Sequence, residues 1–198
     1  MPNSRTYRNL LKKNSFKKLN DTFRNIEPLI RKKFKPNILK YVNKKFHNSK
    51  LKYHMSLSLM RKGYLKSAHT DRRDHLIHSL FYIVSESTKG GDIQLIRLKK
   101  KQKVYDVFPS KNSVKVTKSY KIKKNFCIFT LNVPWAYHAV TKYNGKSDRK
   151  YFYAVYDFKI KNSGEKLKNR KKGFNMNIFW KNKVKTKSSK RKKIFLSE

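Results

Sequence analysis

Acidic residues are scarce in this chain. Eleven Asp and Glu stand against 52 Lys and Arg among 198 residues, which gives a formal charge of +41 at neutral pH. Such an imbalance draws the chain towards nucleic acid, an anionic membrane surface or an acidic substrate. A competing reading is compositional: Lys, Asn, Ile, Phe and Tyr are all abundant, as AT-rich coding would produce, but that does not account for so few acids. Cysteine is nearly absent. Cys127 stands alone, which excludes an intrachain disulfide framework and suits a reducing compartment. Long apolar runs are missing too. No stretch approaches the roughly 18 residues of a membrane span, and no apolar run that could serve as a signal peptide follows the basic N-terminus. The expectation is a soluble, cytoplasmic chain, long enough for one domain with a real core.

What is present reads as a short helical lead, many strands and a basic tail. Residues 1–18 are polar, basic and expected to fray. From Asn20 a helical period appears in Phe23, Ile26, Leu29, Ile30 and Phe34, with Asn20 or Asp21 as cap and Pro36 as terminator. Ile38, Leu39, Val42 and Phe46 suggest a second helix. Residues 53–65 alternate as a strand and turn, with Tyr53, Met55, Leu57 and Leu59 on one face. In residues 75–84, His78, Leu80 and Tyr82 share a face opposite Ile77, Ser79, Phe81 and Ile83. Gly90-Gly91 supply backbone freedom in the following turn. Further strands are expected at 93–96, 104–108, 111–124 and 125–131. Residues 151–158 are apolar on both faces, as a central buried strand requires. Many short strands with turn signals favour an all-β sandwich or barrel. The tail from Lys159 is rich in Lys and Asn. In it Phe174, Met176, Ile178 and Trp180 alternate, and residues 181–193 read as a disordered interaction arm.

The stretch that carries chemistry opens with His69-Thr70-Asp71. Two apart on an extended strand, His69 and Asp71 project from one face. His138 is the best-placed third donor, and two histidines with one carboxylate are the ligand set of a non-haem iron(II) site with open positions. Arg149 lies eleven residues beyond His138, and a hairpin there would bring its guanidinium near the metal. A lone His-x-Asp is weak evidence, since six His and seven Asp give about 0.2 such triplets by chance. A surface ion pair with Arg72 or Arg73 is the alternative for these two residues. His78 reads as a pocket-wall histidine. His75 would be a ligand only by displacing one of the three.

These elements occur in a specific order. His69-Thr70-Asp71 is followed by Ser79-Leu80-Phe81-Tyr82-Ile83, Gly90-Gly91-Asp92-Ile93-Gln94-Leu95, Asn125-Phe126-Cys127-Ile128-Phe129, His138-Ala139-Val140 and Arg149-Lys150-Tyr151-Phe152-Tyr153. The ordered set, over about half of the chain, resembles the prolyl-4-hydroxylase-like branch of the 2-oxoglutarate- and iron(II)-dependent oxygenases. The resemblance implies a mainly β, double-stranded β-helix (jelly-roll, cupin-like) core with N-terminal flanking helices. It implies iron(II) on His69, Asp71 and His138. Arg149 would grip the distal carboxylate of 2-oxoglutarate, and Tyr82 would add a hydrogen bond. An aromatic hydroxyl that related enzymes carry before the 61–64 turn is replaced here by Leu59 and Met60. On this basis residues 1–50 form a basic segment with supporting helices, 51–160 the oxygenase core and 161–198 the basic tail.

The implied activity is a dioxygenase that consumes 2-oxoglutarate and O2, hydroxylates a C–H bond of a protein side chain or small metabolite, and releases succinate and CO2. The short basic loops favour an anionic substrate. Nucleic-acid demethylation fits the charge, but that pattern carries a second arginine where Val155 stands here. The alternative is a non-catalytic nucleic-acid-binding protein on the same scaffold, with lysines on phosphates and Phe179 and Trp180 stacking on bases.

Overall fold

In the computed structural model the described residues are 13–44, 47–48, 51–71, 75–84, 89–102, 104–158 and 185–187. Two helices, α1 (Lys13–Asn25) and α2 (Glu27–Tyr41), precede ten strands: β1 (Leu51–Met60), β2 (Lys66–His69), β3 (Ile77–Val84), β4 (Ile93–Leu98), β5 (Val104–Asp106), β6 (Val114–Tyr120), β7 (Phe126–Leu131), β8 (Tyr137–Val140), β9 (Arg149–Phe158) and β10 (Lys185–Lys187).

The antiparallel pairing is nested. β4 pairs with β6, β3 with β7, β2 with β8 and β1 with β9, as in one long hairpin whose tip lies between β4 and β6. That hairpin is wound, so β9 also pairs with β3 and β8 with β4. The outcome is two four-stranded sheets, β1-β9-β3-β7 and β2-β8-β4-β6. This is the double-stranded β-helix, a jelly roll. β5 stands outside both sheets and pairs in parallel with β10.

Alternation along the strands decides what each face covers. Met55 and Leu57 of β1, Ile77 of β3 and Phe152, Ala154 and Tyr156 of β9 form the main core with Phe23, Ile30 and Ile38 of the helices. The opposite face of the same strands turns towards the second sheet. Leu80, Tyr82, Phe126, Ile128 and Tyr151 there meet Ile93 and Ile122. β9 is thus central and apolar on both faces. Each fully buried side chain of this size contributes about 1.5–3 kcal/mol, so the helical layer is a structural part of the sheet.

The helices depart from the sequence expectation. The break falls at Ile26, not at Pro36, and α1 begins at Lys13, which places Asn20 and Asp21 inside it. Pro28 occupies the first turn of α2, where a missing N–H costs nothing. Pro36 sits inside α2 on its exposed side, while buried Ile30 and Ile38 hold the helix to the sheet on the other. Phe46 and the 159–184 stretch with Phe174–Trp180 lie outside the described residues.

Candidate metal centre

β2 ends at His69, and its register sets His69 opposite His138 of β8. The ring centroids are 4.3 Å apart. Beyond the strand, the Thr70 amide donates to the Val107 carbonyl at 3.0 Å, which holds the chain extended through Asp71. Asp71 Oδ1 then lies 3.4 Å from His69 Nε2 and Asp71 Oδ2 lies 3.2 Å from His138 Nε2. One donor atom from each residue falls within a 4.8 Å cluster that could hold a metal ion.

The tautomers favour a cation. His69 Nδ1 is 2.7 Å from the Ser67 carbonyl and His138 Nδ1 is 3.2 Å from the Ala136 carbonyl. Only a protonated Nδ1 makes those bonds, so both rings present a bare Nε2 lone pair to the cluster. His69 Nε2 is buried and makes no hydrogen bond, so its lone pair is oriented for an acceptor of electrons rather than for the carboxylate. Adjacent donors at roughly 2.1 Å from an octahedral ion stand about 3.0 Å apart, close to the spacings found. Two imidazoles and a carboxylate are a donor set suited to a divalent transition metal.

The electrostatics agree. Burial lowers the His69 pKa to about 4, with His138 and Lys66 adding to the effect and Asp71 opposing it. Burial likewise lowers His78 to about 3. For Asp71 burial opposes ionisation. The field of the neighbouring His138 and His78 more than offsets it and holds the carboxyl well below the ordinary range. An ionised Asp71 therefore faces neutral His69 and His78.

Arg149 opens β9 and is 2% exposed. The expected β8–β9 hairpin does not form: the two strands belong to different sheets, and residues 141–148 cross between them. The guanidinium is instead held from the β3–β4 connection. Its Nη1 donates to the Gly91 carbonyl and its Nη2 to the Gly90 carbonyl, each at 3.0 Å. Both glycines have positive φ, and a Cβ on Gly90 would run into the Lys142 carbonyl while one on Gly91 would press on the guanidinium itself. Tyr143 covers the guanidinium at 4.5 Å and Tyr82 lies at 6.0 Å from ring centroid to Cζ. Met60 Sδ is 3.9 Å from Nη1, so Met60 packs on the cation.

Tyr82 is buried and tilts against Tyr151 at 5.3 Å. Burial raises both phenols above their usual range, and for Tyr151 the Asp71 charge adds to that rise.

Two contacts were not anticipated. Lys66 Nζ is 3.5 Å from Asp71 Oδ1, and His78 Nδ1 is 3.2 Å from Asp71 Oδ2. The inward face shared by His78 and Tyr82 was the only sequence signal for the second; nothing marked the first. His75 is not among the three donors: its Nδ1 pairs with Asp157 at 3.0 Å, and its ring packs edge-on against His78 at 5.4 Å. Arg72 and Arg73 are outside the described residues. A cavity of about 650 Å³ along α2, lined by Arg31, Lys32, Lys35 and His47 among others, includes none of the cluster residues.

Among the described residues no helix is long and apolar enough to cross a membrane. No family model and no curated protein matches the sequence. Among solved structures, the fold is similar to a Pseudomonas putida prolyl-4-hydroxylase, at 10% identity and TM-score 0.44, over 71% of this chain and 65% of that one. It is also similar to the cupin domain of Schizosaccharomyces pombe Cnp3, at 14% identity and TM-score 0.32, over 66% of this chain and 64% of that one. The match thus spans slightly less than two thirds of each of those chains.

Proposed function

We propose that this protein is an iron(II)- and 2-oxoglutarate-dependent dioxygenase that hydroxylates a C–H bond of a protein side chain or small, anionic metabolite. The observation that carries this reading is the convergence of His69, Asp71 and His138 with both Nδ1 atoms tied to carbonyls and both Nε2 lone pairs turned to the cluster. These three residues would hold iron(II). Arg149 would bind the distal carboxylate of 2-oxoglutarate, since a planar, permanently charged guanidinium pairs well with a carboxylate. Tyr82, kept protonated by burial, would donate a hydrogen bond to the same co-substrate. Iron(II) with 2-oxoglutarate and O2 would supply the oxidising power for hydroxylation, one oxygen atom going to the substrate C–H and the other to the succinate formed with CO2 from 2-oxoglutarate. The protein's share is to orient the co-substrate and to keep water from the apolar walls formed by Ile93, Ile122 and Tyr151. A cytoplasmic setting agrees with the lone cysteine.

Anaerobic titration of the metal-free protein with iron(II) and 2-oxoglutarate tests the proposal. A visible metal-to-ligand charge-transfer band is expected. It should vanish in His138→Ala and Asp71→Ala, and need higher 2-oxoglutarate in Arg149→Ala, where loss of one partner of a buried charged pair costs about 2–5 kcal/mol. No band from folded wild-type protein would overturn it. The charge of +41 would then favour the second reading, a nucleic-acid-binding module on this scaffold with binding that falls steeply with salt.

A further inference from the structure

We propose that His78 is a positioning residue for the metal centre: its imidazole, steadied by Tyr153, sets the orientation of the Asp71 carboxylate. This rests on the metal-centre reading above and assigns a role to a histidine outside the three-donor cluster. His78 lies on β3 and Tyr153 on β9, the neighbouring strand. In that register His78 faces Val155 and Leu80 faces Tyr153, so the two side chains are diagonal neighbours on the inward face. His78 Nδ1 is 2.7 Å from the Tyr153 hydroxyl and 3.2 Å from Asp71 Oδ2. The two rings lie 5.6 Å apart.

The other ring nitrogen decides the tautomer. His78 is 3% exposed, and its Nε2 is buried without a hydrogen-bond partner. A proton on Nε2 would bury an unsatisfied donor and set a lone pair against the Asp71 carboxylate, both unfavourable. A proton on Nδ1 is the better choice: the N–H dipole then faces Tyr153 and the carboxylate together, and only an unpaired acceptor, not an unpaired donor, is left at Nε2. Asp71 Oδ2 is also the oxygen nearest His138 Nε2, whereas Oδ1 faces His69. Fixing Oδ2 therefore fixes how the carboxylate divides between the two histidines. Asp71 sits past the end of β2 rather than within a ladder; the Thr70–Val107 bond holds its backbone, and side-chain contacts must fix its carboxylate. Hydrogen-bonding partners of metal ligands commonly change metal affinity by 10–100-fold when removed.

The test uses cobalt(II), whose visible spectrum reports coordination without turnover. The full chain is titrated as wild type, His78→Leu and His78→Asn. Leucine keeps the volume and removes the donor; asparagine restores an N–H near the Nδ1 position. The expected result is a 10–100-fold loss of cobalt affinity and an altered band shape in His78→Leu, with asparagine recovering most of both. Equal affinity and spectrum in wild type and His78→Leu would overturn the role of His78 while leaving the metal centre intact. No cobalt binding by wild type would overturn the metal-centre reading itself. Should His78→Leu not fold, imidazole ¹⁵N shifts of the wild-type protein decide: a protonated Nδ1 and bare Nε2 on His78 support the assignment, and the reverse tautomer overturns it.

Discussion

Lys66 sets an ammonium 3.5 Å from the carboxylate oxygen that faces His69. An ammonium about 5 Å from a divalent ion whose charge Asp71 halves is repelled by about 3 kcal/mol at an effective dielectric near 20. Lys66 is 36% exposed, so solvent reduces this to about 1 kcal/mol. Lys66→Met should therefore raise cobalt(II) or manganese(II) affinity about fivefold at low salt, with the gain shrinking in 0.5 M salt. A weaker site in that variant would mean that Lys66 organises Asp71 more than it repels the ion. Protonation acts at the same scale. Burial lowers His69 to about 4 and His78 to about 3 in the fold, against about 6.5 in an unfolded chain. Their folded-state values are depressed, so the stability they carry is complete above pH 6.5 and is lost as pH falls towards 4 and then 3. Each ring contributes a slope of about 1.4 kcal/mol per pH unit through that window. Urea midpoints of the metal-free protein between pH 8 and 5 should fall below pH 6.5, and His78→Phe should remove about half of the slope. A flat profile would show that these rings are not held neutral.

At the scale of elements, α2 carries Pro36 where the carbonyl four residues earlier receives no N–H. Pro36 is on the solvent side, so Pro36→Ala adds a helix-favouring residue without disturbing the core. The expected gain is about 1–3 kcal/mol in chemical unfolding, less the entropy that proline removes from the unfolded chain; a lowered midpoint would show that the fixed φ of proline is the larger effect. The same proline explains why the helix boundaries were poorly legible. Residue preference places a stop before Pro36, but Ile30 and Ile38 on the buried side outweigh it. The strands were more legible because alternation marks each face: His69 with Asp71, and His78 with Leu80 and Tyr82, follow from a period of two. What the period does not contain is which strands meet. The spacing of His138 and Arg149 suits a hairpin, yet β8 pairs with β2 and β4 while β9 pairs with β1 and β3. The grip of Gly90 and Gly91 on Arg149 and the approach of His78 and Lys66 to Asp71 depend on that winding, which joins residues far apart in the chain.

For the molecule as a whole, +41 is a destabilising field. Ion pairs such as Arg61–Asp148, at 3.6 Å with both side chains well exposed, offset little of it. Screening should therefore stabilise the fold: between 0.02 and 0.5 M NaCl the urea midpoint is expected to rise as the Debye length shrinks from roughly 20 to 4 Å. The placement of β10 gives this a functional edge. Its sequence is Lys185-Thr186-Lys187, and it pairs with β5, whose neighbour Val107 accepts the Thr70 amide between His69 and Asp71. Residues 185–187 thereby lie on β5, next to the segment that holds Asp71. If the charge serves a polyanionic partner, a short single-stranded oligonucleotide at micromolar concentration should raise the midpoint further, at constant ionic strength, because a ligand of the folded state stabilises by mass action. If the charge reflects coding composition alone, the oligonucleotide should do no more than its ionic strength predicts. Midpoints measured with oligonucleotide and with matched salt separate the two.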